Sequence, residues 1–322
     1  MSRRFLGYPL LFGLLLAGLL SLPLFLSTYW VLIVTEILTM GLFAMSFNLL
    51  FGNTGLLSFG QAGFFGAGAY FAVFCILHLS PSLWLALICA CLGAAVLALI
   101  IGWLSVRLDE IYFAILTLGF GMMLFTVAHN WRSVTGGSDG LGNFALPALN
   151  LIFWKVSIGH PRHFYYLVLV VVIAGVLFLN RITRSPFGLM LRATRENSNR
   201  VSFVGADLRM IRLQAFVLAG ALAGLAGALF ALFNRIASPE MLHWSFSGKA
   251  VLMTILGGSG VLLGPVAGAA IFFVLEHWIT SFTNSWMIFL GAILVFLVLI
   301  FPKGVLGTLM AWVDKQGKGK DS

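Results

Sequence analysis

The sequence predicts an all-α polytopic membrane protein, and three observations support this fold class. Of the 322 residues, 61% are hydrophobic and only 9% are charged, whereas a soluble domain carries about 25% charged residues. Apolar runs of roughly 18 residues or more recur along the whole chain, and each is a candidate transmembrane helix. The chain lacks the alternating segments of about ten residues that would indicate a transmembrane β-barrel.

Ten apolar segments account for most of the chain, and each is predicted to cross the membrane as a helix. They run over residues 8–27, 29–51, 60–79, 83–105, 111–129, 164–180, 211–234, 248–263, 265–282 and 285–301. The first segment follows Arg3 and Arg4, as in a signal peptide, but no small-residue cleavage site follows it. It is therefore interpreted as a retained helix, and residues 1–322 are expected to form a single membrane-embedded domain.

The basic residues predict an orientation, because lysine and arginine concentrate in cytoplasmic segments. They cluster at Arg3 and Arg4, in the segment 181–212 and in the tail 303–322. An even number of predicted spans separates each cluster from the next, so all three can lie on one side. The prediction is a multi-pass protein with cytoplasmic N- and C-termini, a cytoplasmic segment 181–210 and a basic cytoplasmic tail.

Two loops are then predicted on the opposite side, residues 130–163 and 235–247. The first is long enough that a functional role is expected, and it is predicted to pack over the mouth of the bundle. The formal net charge of +9 follows from the same bias toward basic cytoplasmic segments. The lipid bilayer is therefore the expected surrounding, and no nucleic-acid partner is predicted.

Residues 48–70, called here the polar seam, place glycines and hydrogen-bonding side chains inside an apolar stretch. Irregular backbone survives in hydrocarbon only where protein or an aqueous path covers its polar groups. The seam is interpreted either as a tight loop at the membrane edge or as part of a translocation path. Whether residues 52–60 form a cytoplasmic turn or an unwound segment within the membrane stays open. The candidate path residues are Asn48, Asn53, Thr54, Ser58, Gln61, Gly63 and Gly66.

The segment 185–205 is predicted to be a short helix between two spans. Ser185 and Pro186 are typical of a helix start, and Gly205 is expected to end the helix. The predicted apolar face carries Leu189, Ala193, Asn197 and Val201, and the predicted exposed residues are Arg192, Arg195, Glu196 and Arg200. This pattern favours docking to a soluble partner, although a solvated loop whose arginines only set the topology is the alternative.

Several glycines have spacings that favour close helix packing. Gly220 with Gly224, and Gly264 with Gly268, fit the G-x-x-x-G pattern. In addition, the glycine-bearing segments 55–60 and 257–265 echo one another in the two halves of the chain. Such paired interruptions are typical of inverted repeats around a midplane path, but glycine also serves ordinary helix packing, and both interpretations stay open.

Two carboxylates, Glu36 and Glu276, fall inside predicted spans. A charged group at the bilayer centre costs on the order of 2.5–3.5 kcal/mol on insertion scales. They could form a substrate or proton site, or they could be protonated or paired near a span end. An ion-coupled secondary transporter of a small polar solute would use such residues, and it is the leading alternative function.

The motifs of several other classes are missing. The chain has no G-x-x-x-x-G-K-[ST] loop for ATP, no H-E-x-x-H, no serine elbow and no histidine or cysteine spacing typical of metal sites. No catalytic residue, metal site or cofactor is therefore predicted, and the chain is not expected to be an enzyme.

Five motifs in order resemble the branched-chain amino-acid permease subunits of ABC importers, and together they cover roughly residues 30–305. They are Asn48-Leu49 with Gly55–Gly60 and Gly66–Tyr70, Tyr112–Leu118, Thr135–Leu141, Gly188–Gly205, and Leu256–Gly260 with Gly264–Ala269. The long loop with Thr135–Leu141 resembles the LivM-type subunit more than the LivH-type subunit.

The resemblance implies an ABC importer permease fold in the bacterial inner membrane. It implies a heterodimer with a second, LivH-type permease subunit, two cytoplasmic ATPase subunits that hydrolyse ATP, and a periplasmic solute-binding protein. It also implies a helix that sits in an ATPase cleft and couples hydrolysis to transport. The coupling residues that it implies are Gly188, Arg192, Ala193, Arg195, Glu196 and Gly205.

The chain departs from the family pattern at a few positions. Gln61 stands where the family often has histidine, and Ser198 and Asn199 replace small and acidic residues. Because Gln61 lies in the polar seam, the substrate stays open. Branched-chain amino acids are the expected substrates, and similar permeases are associated with urea, amides and other small amino acids or carboxylates.

Overall fold

The computed structural model describes residues 9–142, 144–147, 149–151, 154–156, 159–203, 205–283 and 286–309. The helices in order are α1 (Pro9–Phe25), α2 (Thr28–Thr54), α3 (Gln61–Phe74, extended by a π-turn to Leu79), α4 (Leu83–Ser105), α5 (Glu110–Asn130), α6 (Arg132–Thr135), α7 (Pro161–Arg184), α8 (Pro186–Glu196), α9 (Ser198–Phe203), α10 (Leu208–Asn234), α11 (Trp244–Gly257), α12 (Gly264–Thr280) and α13 (Trp286–Ile300). Two short antiparallel strands, β1 (Leu149–Leu151) and β2 (Trp154–Val156), lie in the long loop. Arg3 and Arg4, and residues 310–322 of the predicted basic tail 303–322, lie outside the described residues.

The predicted all-α membrane class is confirmed. Seven segments of the described chain are helical, long and apolar enough to cross a bilayer, namely 28–54, 61–79, 83–105, 110–130, 161–184, 208–234 and 288–309. All ten predicted segments contain a helix. However, α1, α11 and α12 have 17, 14 and 17 residues, fewer than the roughly 20 that span a bilayer, so the predicted number of ten spans is approximate.

Helix α11 is displaced from its predicted position. The apolar pattern predicted a span over 248–263, whereas the helix begins at Trp244 and ends at Gly257. Gly258 has a φ of +102° and packs against the backbone at Lys303 and Gly304, where a side chain would collide. This close approach requires glycine, and it ends the helix although the following residues are apolar.

Three helices form the centre of the bundle. In an 18-residue stretch of α2, 72% of the residues are buried, and the value is 67% for residues 61–79 and for α10, against 28% for α5 and 17% for residues 288–309. Helix α10 packs against α2, α3 and α4. The spans with the lowest burial therefore lie at the rim, where lipid or another protein chain can cover them.

Small residues allow the central helices to approach closely. A Cβ atom at Gly224 would meet Ala94 and the carbonyl of Ala90, and one at Gly220 would meet Ala98. A Cβ atom at Gly68 would meet the backbone of Gly224 itself. Helix packing in membranes relies on such small-residue contacts, and these positions support the packing role predicted for Gly220 and Gly224.

Two similar units run in opposite directions through this centre. Helices α2 and α10 each have 27 residues, and the helices that follow them, α3 and α11, each have 14. Helix α10 is antiparallel to α4 and therefore parallel to α3, so α2 and α10 oppose one another. The two short helices meet at their N-terminal ends, where the N–H of Ala62 donates to Ser247 Oγ at 2.8 Å.

The two glycine-bearing segments that echo one another in the sequence, 55–60 and 257–265, are not the loops of this inverted arrangement. Both lie at the same end of the bundle, since Gly52 packs against the carbonyl of Ser259. Loops of an inverted repeat lie at opposite ends, so of the two interpretations of this echo the structure favours ordinary helix packing. The segment that opposes 55–60 is 235–243, which joins α10 to α11.

The bundle has two distinct ends. The end that carries α8 and α9 is called here the arginine end, and the opposite end is called the loop end. At the loop end, Leu141 and Ala237 exchange backbone hydrogen bonds of 2.8 and 2.9 Å, and Gly140 packs on Ala237 and Ser238. The two loops that the sequence predicted on one side of the membrane therefore contact each other.

The packing at Gly224 predicts a measurable loss of stability on substitution. Gly224→Ala places a methyl group against Ala94 and the Ala90 carbonyl, and such overpacking should lower the free energy of unfolding by about 1–3 kcal/mol. Thermal unfolding of the purified protein in detergent, followed by tryptophan fluorescence, measures the change.

The matched control is Gly119→Ala in α5, where an added Cβ atom meets nothing within 4 Å. This variant should unfold at or slightly above the wild-type temperature, because alanine favours helix over glycine. Equal midpoints for the two variants would contradict the proposed packing of α10 against α4.

Candidate functional site

The segment between α7 and α10 forms two helices rather than one. Ser185 caps α8, since its Oγ accepts from the N–H of Gly188 at 3.3 Å, and Pro186 occupies the first turn. Asn197 is extended and separates α8 from α9. Gly205, with a φ of +84°, follows α9, which agrees with its predicted place at the helix end.

The buried face of α8 differs from the predicted one. Gly188, Leu191 and Thr194 are buried, whereas Leu189 is 60% exposed and Asn197 is also exposed. Gly188 packs against the carbonyls of Ile182 and Thr183, so α8 folds back tightly on the end of α7. That contact turns a different face of α8 toward the bundle, so the prediction of Leu189 and Asn197 on the buried face was wrong. Val201 in α9 is buried as predicted.

Two arginines of α8 bind backbone carbonyls of other helices; Arg195 is exposed as predicted, whereas Arg192 is half-buried. Arg195 Nη1 donates to the carbonyl of Gly52 at 2.5 Å, and Arg192 Nη1 donates to the carbonyl of Thr183 at 2.8 Å. Both carbonyls lie in the last turn of their helix, where free acceptors and the helix dipole favour a cation. Arg195 therefore connects α8 directly to α2, across 143 residues of sequence.

A cavity of about 420 Å³ opens at this junction. Its wall combines three groups of residues: Asn48, Gly52 and Asn53 of α2, Arg192, Arg195 and Glu196 of α8, and residues 259–262 of the loop before α12, with Thr183 completing it. The polar seam and the arginine segment, which the sequence suggested separately, thus share one site. Ala193 is half-buried beside them, and Glu196 is exposed.

The polar seam divides into residues that reach this cavity and residues that do not. Asn48 and Asn53 line the cavity. Thr54 is buried and donates to the carbonyl of Leu50 at 2.7 Å. Ser58 and Gln61 are fully buried, and Gln61 Nε2 lies 3.4 Å from Ser46 Oγ. The seam is therefore not a continuous open path in this conformation.

Four buried polar atoms in the seam have no hydrogen-bond partner among the described residues. They are Asn48 Oδ1, Ser58 Oγ, Gln61 Oε1 and Tyr70 Oη. Leaving a buried polar atom unsatisfied costs about 1–3 kcal/mol, so such groups are seldom retained for packing alone. Of these four residues only Asn48 lines the cavity, and unsatisfied groups along the seam are typical of a region that serves polar solutes or water in another conformation.

The glycines of the seam serve close packing. Gly63 faces Leu124 and Gly121 of α5, and Gly66 faces Leu242 of the loop before α11. Gly264 and Gly268 likewise face Gly258 and the carbonyl of Met253. These contacts support the packing role predicted for Gly264 and Gly268. For Gly63 and Gly66 they favour packing over the predicted lining of a path.

Segment 55–60 is a turn that enters the bundle from the arginine end. Gly55, with a φ of +80°, ends α2 beside Arg195. Gly60 packs on the carbonyl of Thr117, which lies seven residues, or about 10 Å, along α5. Helix α3 therefore starts inside the bundle rather than at its surface.

One of the two predicted intramembrane carboxylates pairs with a lysine that sequence reasoning missed. Lys249 Nζ lies 3.2 Å from Glu276 Oε1, which joins α11 to α12, and Glu36 lies on α2, which packs against α12. Lys249 was overlooked because it falls in the apolar segment 248–263. A lysine inside a predicted span is itself a signal of function or pairing.

The comparisons with known proteins agree with a membrane-spanning bundle of helices. The family model described as "Branched-chain amino acid transport system / permease component" matches residues 29–298. The chain is 30% identical to the high-affinity branched-chain amino acid transport system permease protein LivM of Escherichia coli (strain K12), over 81% of this chain and 66% of that protein. It thus spans slightly less than two thirds of that relative.

Two further relatives are also permease proteins of transport systems. It is 26% identical to the permease protein LivH of the same Escherichia coli transport system, over 84% of this chain and 91% of that protein. It is 29% identical to the autoinducer 2 import system permease protein LsrC of Salmonella paratyphi B, over 56% of this chain and 52% of that protein. No solved structure is significantly similar to the chain.

The bond between Arg195 and Gly52 predicts coupled local stability of α8 and α2. A hydrogen bond from a charged group contributes about 1.5–3 kcal/mol, so Arg195→Met should speed local opening of the end of α2 and of α8 about tenfold or more. Amide hydrogen exchange of the purified protein measures this opening.

The control for this variant is Arg184→Met, at an exposed position at the end of α7. Its exchange over residues 48–56 should equal that of the wild type. Unchanged exchange in Arg195→Met would contradict a direct link between the two helices.

Proposed function

Because the chain belongs to the family of permease components of branched-chain amino acid transport systems, we propose that it is a membrane-spanning subunit of an ATP-binding-cassette importer. The observation that carries the proposal is the junction of Arg195, Gly52 and the cavity, which joins a surface helix to the polar seam. Here α8 receives force from an ATPase subunit, and α2 transmits it to the solute path.

The mechanism is alternating access without a covalent step. Closure of the ATPase subunits shifts α8, and Arg195 carries the shift to the end of α2. The cavity at the arginine end then widens or closes. In the other conformation, the side chains of Ser58 and Gln61, which are buried here, become accessible to water. Coupling of this kind is a differential stabilisation of two packed states.

The exposed side of α8 and α9 supports docking of a soluble subunit. Leu189 is 60% exposed and Phe203 is 88% exposed, and both lie at the arginine end, among charged residues. Large apolar side chains exposed next to charges mark protein interaction surfaces. They favour docking over a solvated loop whose arginines only set the topology.

The proposed orientation and partners follow from this arrangement. The arginine end faces the cytoplasm together with both termini, in the bacterial inner membrane. Two ATPase subunits bind there, a second permease subunit of the LivH type covers the rim, and a solute-binding protein docks at the loop end. The contact between segments 135–141 and 235–242 gives that docking surface its shape.

A branched-chain amino acid is the proposed solute, because the LivM and LivH relatives are named as permease proteins of branched-chain amino acid transport systems. Because a permease for autoinducer 2 also aligns with the chain, the family alone does not set the substrate. Uptake of radiolabelled leucine into vesicles that contain the complete complex, with and without ATP, tests the proposal.

An ion-coupled secondary transporter is the competing function. It would use the ionisable groups at Glu36 and Glu276, but Glu276 is paired with Lys249, which leaves Glu36 as the one carboxylate for the task. Uptake by the purified chain alone, driven by a proton gradient without ATP, would favour this alternative.

The two neighbouring residues at the end of α8 should give different phenotypes. Glu196→Arg reverses a charge on the exposed side and should weaken ATPase binding about tenfold or more, since juxtaposed like charges cost several kcal/mol. Arg195→Met should leave ATPase binding intact but uncouple uptake from ATP hydrolysis. Co-purification of the ATPase in detergent and ATP-driven uptake separate the two effects.

Glu240→Arg is the matched control, because Glu240 is an exposed glutamate at the loop end. The ATPase should co-purify with this variant as with the wild type. Normal co-purification and normal uptake in both α8 variants would contradict the docking proposal.

A further inference from the structure

The cavity at the arginine end has a positively charged wall with unused hydrogen-bond donors. Arg192 and Arg195 both line it, and each guanidinium group donates one N–H to a backbone carbonyl. A guanidinium group carries five N–H donors, and neither arginine forms a further hydrogen bond or an ion pair with a described residue. Glu196 is the one carboxylate among the residues that line this cavity. The wall therefore favours an anionic group.

Another part of the wall holds a hydrogen-bond acceptor without a donor. Asn48 is 5% exposed, and its Oδ1 atom has no partner among the described residues. The amide packs against Gly52, where a Cβ atom would collide with Oδ1, so glycine at this position keeps the amide in the wall. A buried acceptor without a donor is unfavourable, and an N–H group of a ligand would complete it.

The cavity also has an apolar part and a size that suits a small molecule. Val261 and Leu262 lie in the wall and are half-buried. The volume of about 420 Å³ falls within the range of about 300–1,000 Å³ that is typical of small-molecule sites. A matching ligand combines an anionic group, an N–H donor and an apolar side chain. An aliphatic α-amino acid has all three.

A ligand in this cavity would contact three elements at once. Residues of α2, residues of α8 and segment 259–262 before α12 all contribute to the wall. In the proposed transport cycle α8 shifts and α2 follows. A ligand that binds one arrangement of these elements better than another stabilises that arrangement, so an occupied cavity would oppose the shift.

We propose that this cavity binds the α-amino acid that the transporter has delivered to the cytoplasm, and that the bound amino acid inhibits further transport. The inference rests on the proposed function, which places the arginine end in the cytoplasm. The carboxylate binds Arg192 and Arg195. Asn48 Oδ1 accepts from the ammonium group, and the apolar side chain packs on Val261 and Leu262. The bound amino acid holds α8 against α2, so transport slows as the product accumulates.

Binding without transport is the first test. The complex of permease and ATPase subunits, solubilised in detergent without ATP and without the solute-binding protein, is titrated with radiolabelled leucine. Unlabelled leucine should displace the label at least about tenfold more effectively than leucinamide, which keeps the ammonium group and the side chain but lacks the carboxylate that the arginines bind. No saturable binding, or equal displacement by the two compounds, would overturn the proposal.

Two substitutions in the wall separate this cavity from other leucine sites on the complex. Asn53→Asp adds a carboxylate to the wall at almost constant side-chain size, and Gly260→Leu adds a side chain where a Cβ atom meets nothing within 4 Å. Each should weaken leucine binding about tenfold or more, the first by like-charge repulsion and the second by filling space. The matched control Asn234→Asp, at an exposed position of the loop end, should bind as the wild type does. Unchanged binding in both wall variants would overturn the proposal.

Uptake into right-side-out vesicles that trap ATP and unlabelled amino acid tests the inhibition. Internal leucine should lower the initial rate of labelled leucine uptake by the wild-type complex, and internal leucinamide should not. In both wall variants the half-inhibiting concentration of internal leucine, taken relative to each variant's own uninhibited rate, should rise about tenfold. Equal inhibition of the wild type and the variants, or no inhibition at all, would overturn the regulatory site. A wild-type complex without ATP-driven uptake would instead contradict the importer function and leave the binding result standing.

Discussion

The constraint on which this structure depends is that hydrocarbon offers no partners to backbone polar groups. The chain breaks its helical path after α2 and again after α10, and each break frees donors and acceptors inside the membrane-spanning part. At the first break, the freed carbonyl of Gly52 receives the guanidinium of Arg195, and the N–H of Ala62 donates to the hydroxyl of Ser247. The protein can contain irregular segments at these depths because its own side chains satisfy them.

Small residues also help the bundle to contain irregular backbone within the membrane-spanning part. Glycine and alanine at the crossings of α3, α4 and α10 bring backbones together, as Gly68 and Gly224 do. Helix α11 is thereby held in the centre by long neighbours, although it could not span a bilayer over its 14 residues. Close packing thus compensates for the helical hydrogen bonds that the breaks remove.

Most of the fold was predictable from the sequence, because hydropathy reports directly on membrane insertion. All ten apolar segments contain helices, and the polar seam and the arginine segment were correctly singled out as informative. The start of α11 at Trp244 was not predictable, because hydropathy does not register the close backbone approach at Gly258 that ends the helix early.

The candidate site was predicted less well, for related reasons. The rotation of α8 follows from the contact of Gly188 with the end of α7, which no local periodicity encodes. Arg195 is exposed as predicted, but its hydrogen bond depends on a carbonyl 143 residues away. Lys249 was missed because a single charge hardly changes the mean of an apolar window, although its rarity there was the signal.

The meeting of α3 and α11 at Ala62 and Ser247 has a mechanical consequence. If the two helices tilted about this contact in the proposed transport cycle, the bundle would widen at one surface of the bilayer as it narrowed at the other, because the helices run in opposite directions from their shared contact.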